Sequence, residues 1–324
     1  MSVRPPDDPG AVVPPRKPAI VFVGGTGRSG THALADLISH HRRYALVPIE
    51  ARFHVNPQGF PDLLAGEVSP EDFVNKLRGF WWYRIEAGSR LPAVAPRLQL
   101  GRKDRGLHKA VPRERFDEAV ARFEGRPADE PLAVACRRLF LDLLWPIAEQ
   151  RDRPGLVEMS THTVARAPEL ARLFPDSKLI HIVRDGRDAG SSKVSKRQKT
   201  HHPRDVAEGV EWWLERLERA ERSIAQAPDG YALTLSLDEL AVGDRDAEYA
   251  RILEFLGHGD APRMREFFAA EMNAENASRG RWREGLTDAG EREVARAYEA
   301  KLDYLEAQGY ASGAVLSRVY ERLG

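Results

Sequence analysis

Two rhythms of apolar positions run along the chain. Nearly continuous apolar stretches of strand length recur at Ala19–Val23, Tyr44–Pro48, Gly155–Met159, Lys178–Val183 and Tyr231–Leu235. A strand buried on both faces of a parallel sheet needs such a stretch. Between them the apolar residues fall three and four apart, the spacing of a helix with one buried face. Leu34, Leu37 and Ile38 share a face just after the first stretch. Leu139, Leu143, Leu144 and Ile147 do so within a helix expected over Pro131–Gln150, which Pro146 can kink. Further helices are expected over 61–65, 70–78, 113–124, 203–226, most of 236–275, and 287–305. Ser160 or Thr161 can cap one that runs to Phe174. Strands alternating with helices predict the α/β class: a parallel sheet flanked by helices in three layers. Residues 51–150 break the rhythm and read as a helical and loop insertion. Six prolines within residues 1–18 mark a disordered lead-in, leaving 19–324 as one domain.

Composition narrows the function classes. Basic and acidic residues balance at 49 each, so net charge makes no general case for nucleic acid or an anionic membrane. One cysteine, Cys136, excludes an internal disulfide and a cysteine-built metal site. No apolar stretch is long enough for stable membrane insertion, and a soluble cytoplasmic protein is expected. Local features stand out. Phe80-Trp81-Trp82-Tyr83 can be core or can line a pocket. Lys103, Arg105, His108 and Lys109 form either a solvated loop or a contact to an anionic acceptor. The basic tract from Lys193 through Lys196, Arg197, Lys199, His201 and His202 has no interleaved aromatic platform, which argues against RNA.

The densest chemistry follows the first strand. Gly24, Gly25, Gly27 and Gly30 form a turn that leads straight into the first helix. Strand, glycine loop and helix start together make a phosphate cradle, because main-chain N–H groups and the helix dipole converge there. A nucleotide-triphosphate loop would continue G-K-[ST] after its four-residue spacer. Here Thr31 replaces the lysine and His32 the Mg²⁺-binding hydroxyl, while the cation, Arg28, sits within the loop. This fits a phosphate or sulfate held without metal; the plainer alternative is a tight turn with no ligand. A second station is Arg184, at the end of the strand 178–183, with Ser192 two helical turns on. Its guanidinium can meet an oxyanion together with the helix start, or can instead pair with Asp185 or Asp188. Two stations on neighbouring strand ends suit a nucleotide phosphorylated at both its 3′ and 5′ ends better than ATP with Mg²⁺.

These residues resemble a known family. Val23-Gly-Gly-Thr-Gly-Arg-Ser-Gly-Thr31 is similar to the 5′-phosphosulfate loop of sulfotransferases that use 3′-phosphoadenosine 5′-phosphosulfate (PAPS), including many bacterial ones. The stretch from Phe174 to Ser192 resembles their 3′-phosphate motif, and Gly280-Arg-Trp-Arg283 their nucleotide-closing loop. Leu237–Leu240 followed by Ile252–Gly257 has the spacing of a further family stretch. The resemblance implies a P-loop-like fold and in-line sulfuryl transfer from PAPS to a hydroxyl, less often an amine, of a small molecule, glycan or lipid. The product would be adenosine 3′,5′-bisphosphate, with no metal. It implies that Gly27, Arg28, Ser29, Gly30, Thr31 and His32 hold the phosphosulfate, and that Arg184 and Ser192 hold the 3′-phosphate. Arg281 and Trp282 would close over the nucleotide. The family's aromatic residue after the loop is Ala33 here, so Trp282 is the candidate for stacking on adenine. Arg28 would offset charge on the bridging oxygen, and Glu50 is the first choice of base, with His162 second. Glu50 can also be a plain salt-bridge partner of Arg52. A Mg²⁺-dependent P-loop kinase and a non-catalytic nucleotide-binding module are the alternatives. The acceptor is unread, and a homo-oligomer stays open.

Overall fold

The computed structural model describes residues 19–86, 103–195 and 202–324. The N-terminal lead-in lies outside the described residues, as do Lys196, Arg197, Lys199 and His201 of the basic tract. Five strands form the main sheet: β1 (Ala19–Gly24), β2 (Tyr44–Leu46), β5 (Gly155–Glu158), β6 (Lys178–Val183) and β7 (Ala232–Ser236). Their order is β2-β5-β1-β6-β7, and every pairing is parallel. β1 is therefore central, with β6 directly beside it in the register Val23↔Ile180.

Alternation along β1 builds the layers. Ile20 and Phe22 enter one apolar core; Val21 and Val23 enter the other, on the opposite face. On the first face Phe22 packs against Phe140 and Phe174. On the second, Leu34, Leu37 and Ile38 of the helix Thr31–Ser39 pack as their spacing predicts. The helix Leu132–Glu149 contains Pro146 and buries Leu139, Leu143, Leu144 and Ile147. Cys136 lies on the same face, and burial pushes its thiol up to about 12.

The insertion holds more than helices. Its strands β3 (Arg84–Glu86) and β4 (Lys103–Arg105) pair antiparallel as a separate two-stranded sheet. Within the aromatic cluster Trp81 is fully buried and Trp82 packs on Phe116 at 4.3 Å, whereas Phe80 and Tyr83 are exposed. The core reading thus holds for the two tryptophans, and none of the four lines the large cavity described below. The expected helix from Ser160 to Phe174 is instead a 3₁₀ segment, Thr161–Arg166, followed by a helix, Ala167–Leu173. Ser160 does not cap it, because its hydroxyl is drawn to buried Glu158, Oγ to Oε1 at 2.6 Å. A last helix, Ala311–Leu323, follows Asp288–Ala307 and lies against β7, the edge strand. Among the described residues no helix is long and apolar enough to cross a membrane.

Candidate active site

A cavity of about 1360 Å³ opens at the C-terminal ends of the strands. That is where parallel α/β sheets present ligand sites. The loop after β1, the start of the helix after β6, the segment after β2, the turn after β5 and β4 of the insertion all reach it.

The four loop glycines divide into two jobs. A Cβ on Gly24 would fall 2.1 Å from the Thr163 hydroxyl, and one on Gly25 2.5 Å from the Ile182 carbonyl. These two let the loop pack on its neighbours. Gly27 (φ 86°) and Gly30 (φ 91°) instead supply left-handed turns. Arg28 between them is also left-handed, φ 64°, which is uncommon for a residue with a side chain and clusters at functional sites. The helix that follows starts at Gly30 with no side-chain cap and no acid in its first turn. Its first residues Thr31, His32 and Ala33 line the cavity, so its partial positive charge faces an open space.

The second station joins the first. Arg28 donates from Nε to Ser192 Oγ at 2.9 Å. Arg184 donates from Nη1 to the Arg28 carbonyl at 3.2 Å, and from Nη2 to the carbonyls of Ala277 (2.7 Å) and Ser278 (2.8 Å). Among the described residues its Nε is buried without a partner. Burial and then the Arg184 charge hold the Arg28 guanidinium below its ordinary pKa, as two cations in one pocket must. The helix start expected to help here is not open. Asp185 caps it, accepting from Arg187 N at 2.8 Å and pairing with the Arg187 guanidinium at 2.6 Å. Arg184 itself lies 4.0 Å from Asp188, so the internal pairing weighed from sequence is only loosely made. Asp188 accepts from the main chain of Gly280 and Trp282, tying the 280–283 loop to this helix.

On the far side lie the expected bases. Glu50 Oε1 accepts from the Thr161 hydroxyl at 3.0 Å, and Oε2 from Arg52 Nε at 2.7 Å, with Arg52 Nη2 in contact as well. The salt bridge to Arg52 is therefore present, and the carboxylate still lines the cavity. The Thr161 carbonyl accepts from Gly25 N at 3.3 Å. Beneath sits Glu158, fully buried at the end of β5, which takes Ala51 N at 3.1 Å and contacts His54 Nε2 at 3.1 Å. Burial pushes its pKa up, but the His54 charge and the hydrogen bonds outweigh that and hold it low. Glu158 thus anchors the segment that carries Glu50. His162 Nδ1 meets Asn56 Oδ1 at 3.1 Å and Nε2 meets Arg216 Nη1 at 3.4 Å. A cationic donor on Nε2 fixes the tautomer with its proton on Nδ1. Burial, then Arg216 and Arg52, hold the imidazole down at about 4. His162 is neutral at pH 7 with its lone pair engaged, a poor general base.

Two expected ligands of the nucleotide need correction. Ser29 is fully buried and its hydroxyl points under the loop toward Gly25, so only its main chain can serve an anion. Trp282 is also buried and does not line the cavity. Its ring is engaged by the guanidinium groups of Arg187, at 4.7 Å, and Arg283, at 4.5 Å. Arg281 does reach the cavity, as do Gly27, Gly30, Thr31, His32, Arg184 and Ser192. Sequence reasoning missed Trp212 and Arg216, which line it from the helix Val206–Ile224. They stand four apart, one turn, beside the buried stripe of Val210, Trp213, Leu214 and Leu217, and that flanking pair was the available signal.

An open helix start, a left-handed glycine loop and two converging arginines thus meet in one cavity at the carboxyl edge of an α/β sheet. The chain belongs to the sulfotransferase family, whose model matches residues 18–262. Solved structures similar to it include the sulfotransferase domain of the Synechococcus olefin synthase, 15% identical, covering 93% of this chain and 98% of that one, with a TM-score of 0.47. Mouse sulfotransferase SULT7A1, complexed with PAP, is 13% identical over 94% of this chain and 89% of that one (TM-score 0.43). Sulfotransferase STF1 from Mycobacterium tuberculosis is 14% identical over 87% and 76% (TM-score 0.43). No curated protein matches the chain significantly.

Proposed function

We propose that this chain transfers a sulfuryl group from PAPS to an acceptor hydroxyl. The observation that carries the reading is the Arg28–Ser192 contact, which brings both oxyanion stations into one cavity beside an uncapped helix start. The residues fit the donor. Gly27, Gly30, Thr31 and His32 face the phosphosulfate, with the Ser29 main chain. Arg184, whose Nε has no partner, and Ser192 face the 3′-phosphate. Arg281 flanks the nucleotide. In place of Trp282, an apolar wall of Leu237, Ala241, Met272 and Ala277 receives the adenine.

When bound, PAPS supplies an activated sulfuryl group whose bridging S–O bond breaks as the acceptor oxygen bonds to sulfur, the electron pair leaving on the 5′-phosphate. Arg28, at the junction of the stations, offsets the charge on that leaving oxygen. Such a donor is worth on the order of 3–4 kcal/mol. Glu50, held by Thr161 and Arg52, takes the hydroxyl proton, a contribution of roughly 10²–10⁴-fold. His162 orients Arg216 and Asn56 and takes no proton. Transfer of this kind needs positioning and charge more than covalent help.

Calorimetry and thermal melts with adenosine 3′,5′-bisphosphate against ATP–Mg²⁺ test the reading. The bisphosphate is expected to bind and to add about 2.7 kcal/mol of stability at a hundredfold excess over Kd. Tighter binding of ATP–Mg²⁺, with phosphate release, favours a kinase. Tight bisphosphate binding with no transfer to any acceptor favours a binding module.

A further inference from the structure

The cavity extends well past the two nucleotide stations, toward Glu50 and the insertion. Arg216 is the most telling residue there. It is half-buried, and its guanidinium lies 4.9 Å from the centre of the Trp212 ring. Its one hydrogen-bond partner among the described residues is the neutral His162. Among the described residues no carboxylate stands within ion-pair distance of it. Burial and then the neighbouring Arg219 disfavour its charge, and Glu215 only partly offsets them. A half-buried cation with no ion-pair partner among the described residues gains from an incoming anion.

Arg52, Arg84, Arg105 and Lys109 also line the cavity, with Glu50 and Asp104. Arg52 pairs with Glu50 and Lys109 with Asp104, and Arg84 and Arg105 have interactions of their own, whereas Arg216 has no such carboxylate among the described residues. Among the described residues Pro48, Ile49, Met159 and Trp212 are the apolar lining away from the adenine wall and the helix start, and they are set among these charged groups. Arg216 shares the Trp212 ring with Lys193, which interacts with both Arg216 and Arg28, and His162 and Asn56 join Arg216 to the Glu50 side.

We propose that the acceptor is a polar molecule carrying an oxyanion, a carboxylate or a phosphate, close to its reacting hydroxyl, and that Arg216 binds that oxyanion. This deepens the sulfuryl-transfer reading and rests on it. With the hydroxyl at Glu50 and the anion at Arg216, the acceptor is fixed at two points and its oxygen is aimed at the loop.

The test fills the nucleotide stations first. Protein saturated with adenosine 3′,5′-bisphosphate is titrated with inorganic phosphate by calorimetry, as wild type, Arg216→Gln and Arg216→Lys. The wild type should take up one phosphate. Arg216→Gln should weaken that uptake at least about tenfold and Arg216→Lys by no more than about threefold. Bisphosphate affinity should stay within about twofold in both, which also shows that the variants fold. Transfer from PAPS is then compared for glycerol against glycerol 3-phosphate, and for methyl glucoside against methyl glucuronide. Wherever transfer occurs, the charged member should lead at least about tenfold in kcat/KM, and the lead should collapse in Arg216→Gln. Equal phosphate uptake by Arg216→Gln, no uptake by the wild type, or preference for the neutral members overturns the proposal. A wild type that ignores the bisphosphate sinks the nucleotide reading instead, and this inference with it.

Discussion

The helix after β1 and the helix after β6 both start at the carboxyl edge of the sheet, side by side, and they start in opposite ways. The first begins at a left-handed glycine, with no cap and no acid in its first turn. The second begins at Asp185, whose carboxylate occupies the helix start and pairs with buried Arg187. A capped start is stable and electrically satisfied; an uncapped one leaves its N–H groups for a ligand. The second station is therefore made of side chains on either side of that start, Arg184 just before it and Ser192 beyond it, with Arg28 reaching across from the first. Equivalent positions in one fold thus divide into an open end and a structurally capped end.

Four experiments break or sharpen that contrast. The largest effect is expected from Asp185→Ala, which strands the buried Arg187 cation. Loss of a buried partner costs about 3–5 kcal/mol, readable in urea unfolding. Next, Glu50→Gln should lower turnover by about 10²-fold or more while calorimetry finds bisphosphate affinity unchanged. A variant with near-normal turnover removes Glu50 from the base role. Third, acid should weaken the fold through His162. Its imidazole titrates near 4 in the folded chain, against about 6.5 when unfolded. Only the unfolded chain binds the proton as pH falls from about 6.5 to 4, so the stability present above 6.5 is lost across that window, by up to about 3 kcal/mol. Denaturation of His162→Gln at pH 7 and 4.5 should show that loss reduced. Last, His32→Asp gives the open helix start the acid it lacks. Melts should rise slightly, by about 0.5 kcal/mol of stability, while bisphosphate binding weakens about tenfold.

The sheet was legible because strands buried on both faces are written as unbroken apolar stretches, and Lys178–Val183 matched to the residue. That Arg28 and Arg184 sit at strand ends on one cavity was legible for a similar reason: the loop and strand end that carry them are local. What failed depended on contacts distant in sequence. Trp282 reads as a lone aromatic in a polar loop, but Arg187, on another element, fills the space over its ring. Ser29 sits among cradle residues, yet the left-handed turn at Arg28 directs its hydroxyl inward. His162 looked like a base until Arg216, fifty-four positions away, met its lone pair. The hairpin of β3 and β4 carries too few apolar residues to announce itself.

Thr161 has a consequence for how such a protein can change its substrate. Its main chain grips the glycine loop and its side chain grips Glu50, so one residue sets the gap in which, under the proposed mechanism, the new bond would form. A larger or smaller acceptor cannot be admitted by widening that gap without disarming the chemistry. Diversification is thereby pushed outward, onto the wall that the insertion contributes, and the reacting centre can stay fixed while recognition drifts.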